Sequence, residues 1–422
     1  MKGIANSVPE AGQDAVSNHS SSTLDLEPRE QQLEVPTPMA SNTATAMQAK
    51  EDSNAQDDEN TTPPRTPSIL SLNNDILLLI CTALATDLPP SHQRPPPYEP
   101  SPLKNLASTC HRLRDLAAPL IYRNVKLGAY GWVWDTVHEA LIRMRKSEAT
   151  LRNARRFGID LYIGTNGNKA QSVVPGEGIF EGLLGIWAAM GKLERLDLTT
   201  FGVPEPHWEI MKGVFTKREG VKFESVKTLA IPCRMDWMVA KCPNLTCLEV
   251  RADNGTAQSP VEIIKQVPRI QHLECKARWT PESLVEVREA VPHVHTLAMQ
   301  CSRPQYSRPV LDFIPTLASF PNLKCLVLEH LGFLNMGFSA PSCGNAYRGP
   351  EGWKVRERVK KDRERLSGMV AEAVFGKCVG LEELRIGTRG NDCRARVVRG
   401  EDGGVKEVRW SSETWEQVAG RV

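Results

Sequence analysis

The sequence lacks the features of a secreted or membrane protein. Its eleven cysteines include no C-x-x-C pair, and residues 1–15 contain no apolar core of the kind that a secretory signal needs. The longest apolar stretch, Ile76 to Ala85, is about half the length of a membrane span. We therefore expect reduced thiols, a cytoplasmic or nuclear location or both, and no membrane partner.

Signatures of catalysis are absent as well. The chain contains no glycine-rich phosphate loop, no HExxH motif and no GxSxG motif. Its nine histidines are scattered, and its cysteines do not have the spacing of a zinc site. We therefore expect no catalytic, cofactor-binding or metal-binding residues and no cofactor, and we predict that the chain is not an enzyme.

The composition is that of a soluble protein with an uneven charge. The 422 residues are 41% hydrophobic and 24% charged, with a net charge of +2, which argues against a chain built wholly around nucleic acid. Residues 1–66 contain eleven acidic and four basic residues and are nearly free of aromatics. Such a composition cannot bury enough apolar surface to offset chain entropy, and it predicts a disordered acidic tail.

Between residues 67 and 127, the apolar residues fall into three short sets with helical spacing. The first set recurs every four residues from Ile76. A proline-rich insertion over 87–101 separates it from the second set, which opens at Pro102 in the first helical position. The third set is closed by Pro119, ahead of an extended segment. The pattern predicts three small helices.

Two stretches of this region resemble the F-box, the adaptor-binding module of SCF-type ubiquitin ligases. LNNDILLLI, residues 72–80, is similar to the family opening, Leu-Pro-x-Asp/Glu followed by an aliphatic helix. LASTCHRLRDLAAPLIYRNV, residues 106–125, is similar to its second half. The chain departs from the family pattern at Asn73, where proline is usual, and at the 87–101 insertion. The alternative is a helical packing module within a larger domain.

The resemblance implies docking on a Skp-type adaptor and, through it, on a cullin. The apolar residues would divide between the module's own core and the adaptor groove, as in other helix-in-groove complexes. The residues assigned to this role are Leu72, Asn73, Asp75, Ile76, Leu77, Ile80, Leu84, Leu103, Leu106 and Leu113.

A second signal recurs through residues 128–390: an apolar residue, two others, Leu, one other, and an apolar residue. The central leucines are Leu196, Leu229, Leu248, Leu273, Leu297, Leu326 and Leu384. Several intervals fall near the range of about 20 to 29 residues typical of leucine-rich repeats. The predicted fold class is therefore α/β, with an N-terminal three-helix F-box-like module followed by an irregular leucine-rich-repeat-like solenoid. An ordinary α/β domain with parallel strands is the alternative.

Strand alternation turns the neighbours of the central leucines outward. This predicts a strip for binding a protein substrate, composed of Arg195, Asp197, Glu249, Arg251, Glu274, Lys276, Glu329 and Arg385. The strip mixes charge signs, which favours a protein partner over a polyanion. Residues 354–365 interleave basic and acidic residues, which is typical of a solvated helix. Residues 391–422 are predicted to form a loosely ordered tail, with one strand over 405–410.

Together these patterns predict the substrate-recognition subunit of an SCF-type ubiquitin ligase. Its F-box would bind the adaptor, and its repeat domain would bind a protein substrate. One alternative is an F-box-like interaction scaffold outside any ligase. A less favoured alternative is a nucleic-acid-binding protein that uses residues 354–365.

Overall fold

A computed structural model describes residues 69–86, 101–130, 133–162, 175–251, 259–301, 306–341, 344–387 and 393–411. The acidic tail over 1–66, residues 87–100 of the proline-rich insertion and residues 412–422 lie outside the described residues. The fold is α/β, as the sequence predicts, and its sheet has eleven strands.

Three helices open the described chain: α1 (Asn74–Thr86), α2 (Pro102–Thr109) and α3 (His111–Ile121). Asn73 caps α1, since its Oδ1 accepts the backbone N–H of Ile76 at 2.9 Å. Pro102 is in the first turn of α2, as predicted. The prediction that Pro119 closes α3 is wrong: the helix continues to Ile121, because the one N–H that proline removes lies in its last turn, where Tyr122 N–H still reaches Ala118 O at 3.0 Å.

The strands follow one another across the sheet in chain order, and β1 to β9 are parallel. They are β1 (Asn124–Tyr130), β2 (Arg156–Tyr162), β3 (Arg195–Phe201), β4 (Thr228–Pro232), β5 (Cys247–Arg251), β6 (His272–Ala277), β7 (Thr296–Cys301), β8 (Cys325–Leu328), β9 (Glu383–Ile386), β10 (Cys393–Arg399) and β11 (Val405–Ser411). The connecting helices are α4 (Val133–Arg145), α5 (Glu148–Asn153), α6 (Glu177–Ala189), α7 (Glu205–Lys217), α8 (Pro260–Ile264), α9 (Pro281–Ala290), α10 (Ile314–Ala318) and α11 (Gly352–Lys377).

The seven central leucines form one ladder across the sheet. Each is in register with the next, from Leu196 on β3 to Leu384 on β9, and all seven are fully buried. The same hydrogen-bond pattern recurs where the strands begin: a backbone carbonyl of one unit accepts two consecutive N–H groups of the next unit. Lys227 O, for example, accepts Thr246 N at 2.9 Å and Cys247 N at 3.0 Å. The predicted repetition is therefore present in the backbone.

The described residues contain two apolar cores. The large core lies between the leucine-bearing face of the sheet and the helices, and Trp187 packs in it against the rings of Phe157, Phe215 and Phe223. The small core belongs to α1–α3. The predicted boundary between residues 127 and 128 is wrong, because it falls inside β1, whose residues 124–130 all pair with β2.

The end of the chain differs from the predicted loose tail. Residues 393–411 form an antiparallel hairpin, β10 and β11, that extends the sheet beyond β9 and contains the strand predicted over 405–410. Gly403 turns the chain with a φ of 74°, a value that favours glycine. Arg399 fixes the hairpin to α11, since its Nη2 donates to Cys378 O at 3.0 Å, just past the end of the helix. The tail is ordered here because β9 supplies a pairing edge.

Candidate interaction surfaces

The outer face of α1 is apolar and exposed. Ile76 is 43% exposed and Leu79 is 69% exposed, and they lie one turn apart on the same side of the helix. Ile69 and Leu70, just before α1, are also exposed. Exposed apolar side chains grouped on and beside one helix are a common feature of docking surfaces. We call Ile69, Leu70, Ile76 and Leu79 the α1 patch.

The residues assigned to adaptor binding divide into two groups. Leu77, Leu103 and Leu113 are fully buried and belong to the interior of the three helices. The others are half-buried or exposed: Leu72, Asn73, Asp75, Ile76, Ile80, Leu84 and Leu106. Of these, Leu84 and Leu106 pack against the small core. Their role in adaptor binding stays a prediction.

Arg112 ties α3 to the start of α1 and to the segment before it, and it was missed at the level of sequence. From the start of α3, its guanidinium donates to Leu70 O at 2.7 Å, to Leu72 O at 2.8 Å and to Asn74 Oδ1 at 2.9 Å. These three charge-assisted bonds fix the segment that leads into α1, and with it the orientation of the α1 patch. An arginine in LASTCHRLRD gives no local signal of this contact, because its acceptors lie about forty residues earlier.

The second surface is the face of the sheet opposite the leucine ladder, which we call the open face. At its centre, four side chains form an ion-pair ring. Arg195 Nη2 lies 2.7 Å from Glu249 Oε1 and 3.3 Å from Asp197 Oδ2. Arg251 Nη1 lies 2.9 Å from Asp197 Oδ1, and its Nη2 lies 3.2 Å from Glu249 Oε2. The two positive and two negative charges balance.

The small side chain of Ala230 allows this ring to form. Ala230 on β4 is in register with both Asp197 on β3 and Glu249 on β5, and it is fully buried. The ion pairs therefore span the intervening strand. Burial by itself would raise the pKa of Asp197, but Arg251 and then Arg195 outweigh it and hold the pKa below its ordinary value. Burial by itself would lower the pKa of Arg195 and of Arg251, but the carboxylates of Asp197 and Glu249 outweigh it and raise both pKa values.

The other predicted strip residues also lie beside the sheet's open face, and several are engaged with neighbours. Glu274 Oε1 accepts a hydrogen bond from the Gln300 amide. Glu329 is buried, and its Oε2 accepts Cys301 N–H at 3.2 Å. Lys276 and Arg385 are half-buried. Glu249 and Glu329 are thus too buried to contact a partner. Substrate binding by the strip as a whole stays a prediction.

A further group was missed because it depends on the hairpin. Glu383 on β9 accepts hydrogen bonds from Arg385 Nε at 2.5 Å and from Arg394 Nη2, and its Oε2 lies 3.4 Å from Arg396 Nε. Three arginines thus surround one carboxylate. Burial by itself would raise the pKa of Glu383, but the hydrogen bonds and charges of Arg394 and Arg385 outweigh it and hold the pKa below its ordinary value. We call these four residues the arginine cluster.

A small apolar cavity lies between the sheet and α4, α6 and α7. The buried His207 contributes to its wall, and its Nδ1 accepts a hydrogen bond from Trp134 Nε1 at 3.2 Å. This bond places the imidazole proton on Nε2. Burial lowers the pKa of His207, so the fold favours the neutral ring. The cavity, of about 20 Å³, has room for about one water and not for an organic ligand.

Among the described residues, no group of three or more His, Cys, Asp or Glu side chains is arranged to hold a metal ion. Within the same part of the chain, each helix is too short or too polar to cross a membrane. Neither a scan against protein-family models nor a search of curated proteins finds a match to this chain.

Proposed function

We propose that the chain is the substrate-recognition subunit of an SCF-type ubiquitin ligase. The α1 patch would dock on a Skp-type adaptor, the adaptor would join the chain to a cullin, and the open face would bind a protein substrate. In this arrangement the chain positions the substrate and performs no bond chemistry itself. A cytoplasmic or nuclear setting with reduced thiols fits the free cysteines of the described residues.

The observation that carries the proposal is that α1 has a buried apolar side and an exposed apolar side. One side of the helix supplies Leu77 and Cys81, which are fully buried, while the other side leaves Ile76 and Leu79 exposed. The small core of α1–α3 is separate from the large core beneath the sheet. The three helices therefore have enough apolar residues for their own packing and a surplus on the outside, as expected of a helix-in-groove docking module.

The sheet supports the second half of the proposal. Nine parallel strands in chain order, joined by helices, with the leucine ladder running through seven of them from β3 to β9, are the arrangement expected of a leucine-rich-repeat-like solenoid. In a solenoid the face without helices is the extended concave surface that binds partners. Mixed charges along the open face favour a protein as the partner.

Co-purification tests the proposal. The tagged full-length chain should recover a Skp-type adaptor and a cullin from cells, and Ile76→Asp with Leu79→Asp should abolish the recovery, because charges on the α1 patch oppose burial in an apolar groove. Val379→Asp is the matched control, since Val379 is also 69% exposed but lies in the turn before β9.

Two results would contradict the proposal. If the unchanged chain recovered neither adaptor nor cullin, the chain would instead be an interaction scaffold outside any ligase. If the double variant kept full recovery, docking would not use the α1 patch. Circular dichroism should show the same helix content for all variants, since both replaced residues are exposed.

A further inference from the structure

The sheet ends in an edge strand, β11, that has room for a further strand. β11 pairs with β10 on one side, and within the described part of the chain no strand pairs with its other edge. The polar contacts described for β11 are its ladder to β10 and an ion pair within the strand, in which Arg409 Nη2 lies 3.0 Å from Glu407 Oε2. The backbone N–H and C=O groups on its outer edge are therefore a template for pairing with another strand.

The side chains of β11 are exposed on both faces of the strand. Trp410 lies opposite the buried Ala395, so it points to the helix side of the sheet together with the half-buried Val408. Glu407 and Arg409 point to the open face, and their side chains are 53% and 67% exposed. Residues 407–411 pair with β10 in an unbroken register, because the bulge of this pair lies nearer the turn. The exposed part of the edge is thus a regular strand.

The sequence of β11 is complementary to itself about Val408. In an antiparallel pair centred on one residue, positions at equal distances from the centre lie opposite each other on the same face. Val408 would then face Val408 of a second copy, and Glu407 would face Arg409 of the second copy, twice by symmetry. The same register brings Trp410 opposite Lys406 of the second copy, which favours a cation–π contact. A two-fold dimer needs a surface of this self-complementary kind.

The charges on β11 make this pairing selective. Charged side chains on an edge strand usually oppose pairing, because an unrelated strand leaves them unmatched. About Val408, each of the two charges at 407 and 409 meets its opposite. Moving the centre by one residue would place Glu407 opposite Glu407, or Arg409 opposite Arg409, of the second copy, and like charges directly opposite destabilise a sheet. The pattern therefore favours a second copy in one register over an unrelated strand.

On this basis we propose that the chain forms a symmetric dimer, in which β11 of one copy pairs antiparallel with β11 of a second copy and the two sheets become continuous. The inference is independent of the proposed function, because the pairing involves neither the α1 patch nor the ion-pair ring. One short strand and two ion pairs form a small interface, so the association is reversible and depends on protein concentration.

Sedimentation velocity of the full-length chain, from about 1 to about 200 µM, tests the inference. The weight-average mass should rise from that of one chain toward that of two. Glu407→Arg and Arg409→Glu should each weaken the association by at least about tenfold, because each creates two like-charged pairs across the axis. The matched control is Glu148→Arg, which reverses the carboxylate of an exposed ion pair on α5 and should leave the association unchanged.

Exchanging the charges separates cross-strand pairing from damage to the fold. The double variant Glu407→Arg with Arg409→Glu restores opposite charges across the axis and should associate as the unchanged chain does. An equimolar mixture of the two single variants should also dimerise, because one variant is positive and the other negative at both positions. Both single variants should fold, since the two replaced side chains are more than half exposed. Equal thermal unfolding of all variants verifies this.

Three results would overturn the inference: an unchanged chain that stays monomeric over the whole concentration range, association that survives Glu407→Arg, or a mixture of the single variants that associates no better than each variant alone. The first would leave the edge of β11 to a strand of another protein, and the second would mean that the copies meet through another surface, such as the α1 patch. Adaptor recovery by the same variants reports separately on the proposed function and should not change.

Discussion

Removing the charge of Glu249 should destabilise the fold, because this carboxylate joins both arginines of the ion-pair ring. Glu249 is only 6% exposed, and it lies 2.7 Å from Arg195 and 3.2 Å from Arg251. Glu249→Gln keeps the shape of the side chain and leaves Asp197 as the single carboxylate of the ring. Two partly buried guanidinium groups would then share one counter-charge.

The expected loss is about 2 to 3 kcal/mol. Breaking a fully buried ion pair costs about 3 to 5 kcal/mol. We expect a smaller loss than this here, because the Arg195 and Arg251 side chains are still 28% and 25% exposed. Water therefore screens part of the unbalanced positive charge. A double-mutant cycle with Arg195→Gln should show a coupling energy of about 1 kcal/mol.

Urea unfolding followed by circular dichroism measures both quantities. The control is Glu289→Gln, since Glu289 is 66% exposed and pairs only with the neighbouring Arg288 among the contacts described for it. That variant should change the free energy of unfolding by less than about 0.5 kcal/mol. If Glu249→Gln cost no more than the control, the ring would be a surface feature without energetic weight, and the reasoning from burial and balance would be refuted.

Two further predictions concern the stability of the sheet and the helices that cover it. Arg399→Ala should lower the free energy of unfolding by about 2 kcal/mol in the same urea assay. The reason is that it removes a guanidinium that donates to backbone carbonyls at the end of α11. An unchanged free energy of unfolding would show that the hairpin does not depend on this contact. Because burial lowers the pKa of His207, stability should be complete above about pH 6.5 and should fall as the pH drops from there toward the folded-state pKa. His207→Gln should flatten this dependence, and an equal slope in both proteins would contradict the assignment.

The leucine ladder was predictable because the signal is local and repeated. Each central leucine sits in a strand whose alternation is visible in a few residues, and seven such segments share one pattern, so Leu196 to Leu384 were identified without knowledge of their pairing. The open-face positions of their neighbours follow from the same alternation. The parallel sheet follows from the helical segments between the strands.

The closed ring and the arginine cluster were not predictable in the same way. The ring depends on register across three strands and on the small side chain of Ala230 between its members. The cluster depends on β10, whose glycine-rich surroundings resemble a loose tail until β9 is present to pair with it. Contacts of this kind are set by the tertiary structure, which overrides local composition.

The face of α1 was also ambiguous from sequence. The helix is apolar nearly all round, so spacing alone favoured Ile76, Ile80 and Leu84 as one set. The structure places Ile76 outside with Leu79, and it leaves Ile80 and Leu84 half-buried. Which side of such a helix faces inward is decided by its packing partners, α2 and α3, and not by its own periodicity.

Titration of the purified full-length chain with a purified Skp-type adaptor by isothermal calorimetry tests the central claim most directly. The account predicts saturable binding by the unchanged chain and by Val379→Asp, and a loss of at least about tenfold in affinity for Ile76→Asp with Leu79→Asp. Absence of binding by the unchanged chain, or equal binding by all three proteins, would contradict the claim that the α1 patch is a docking site for the adaptor.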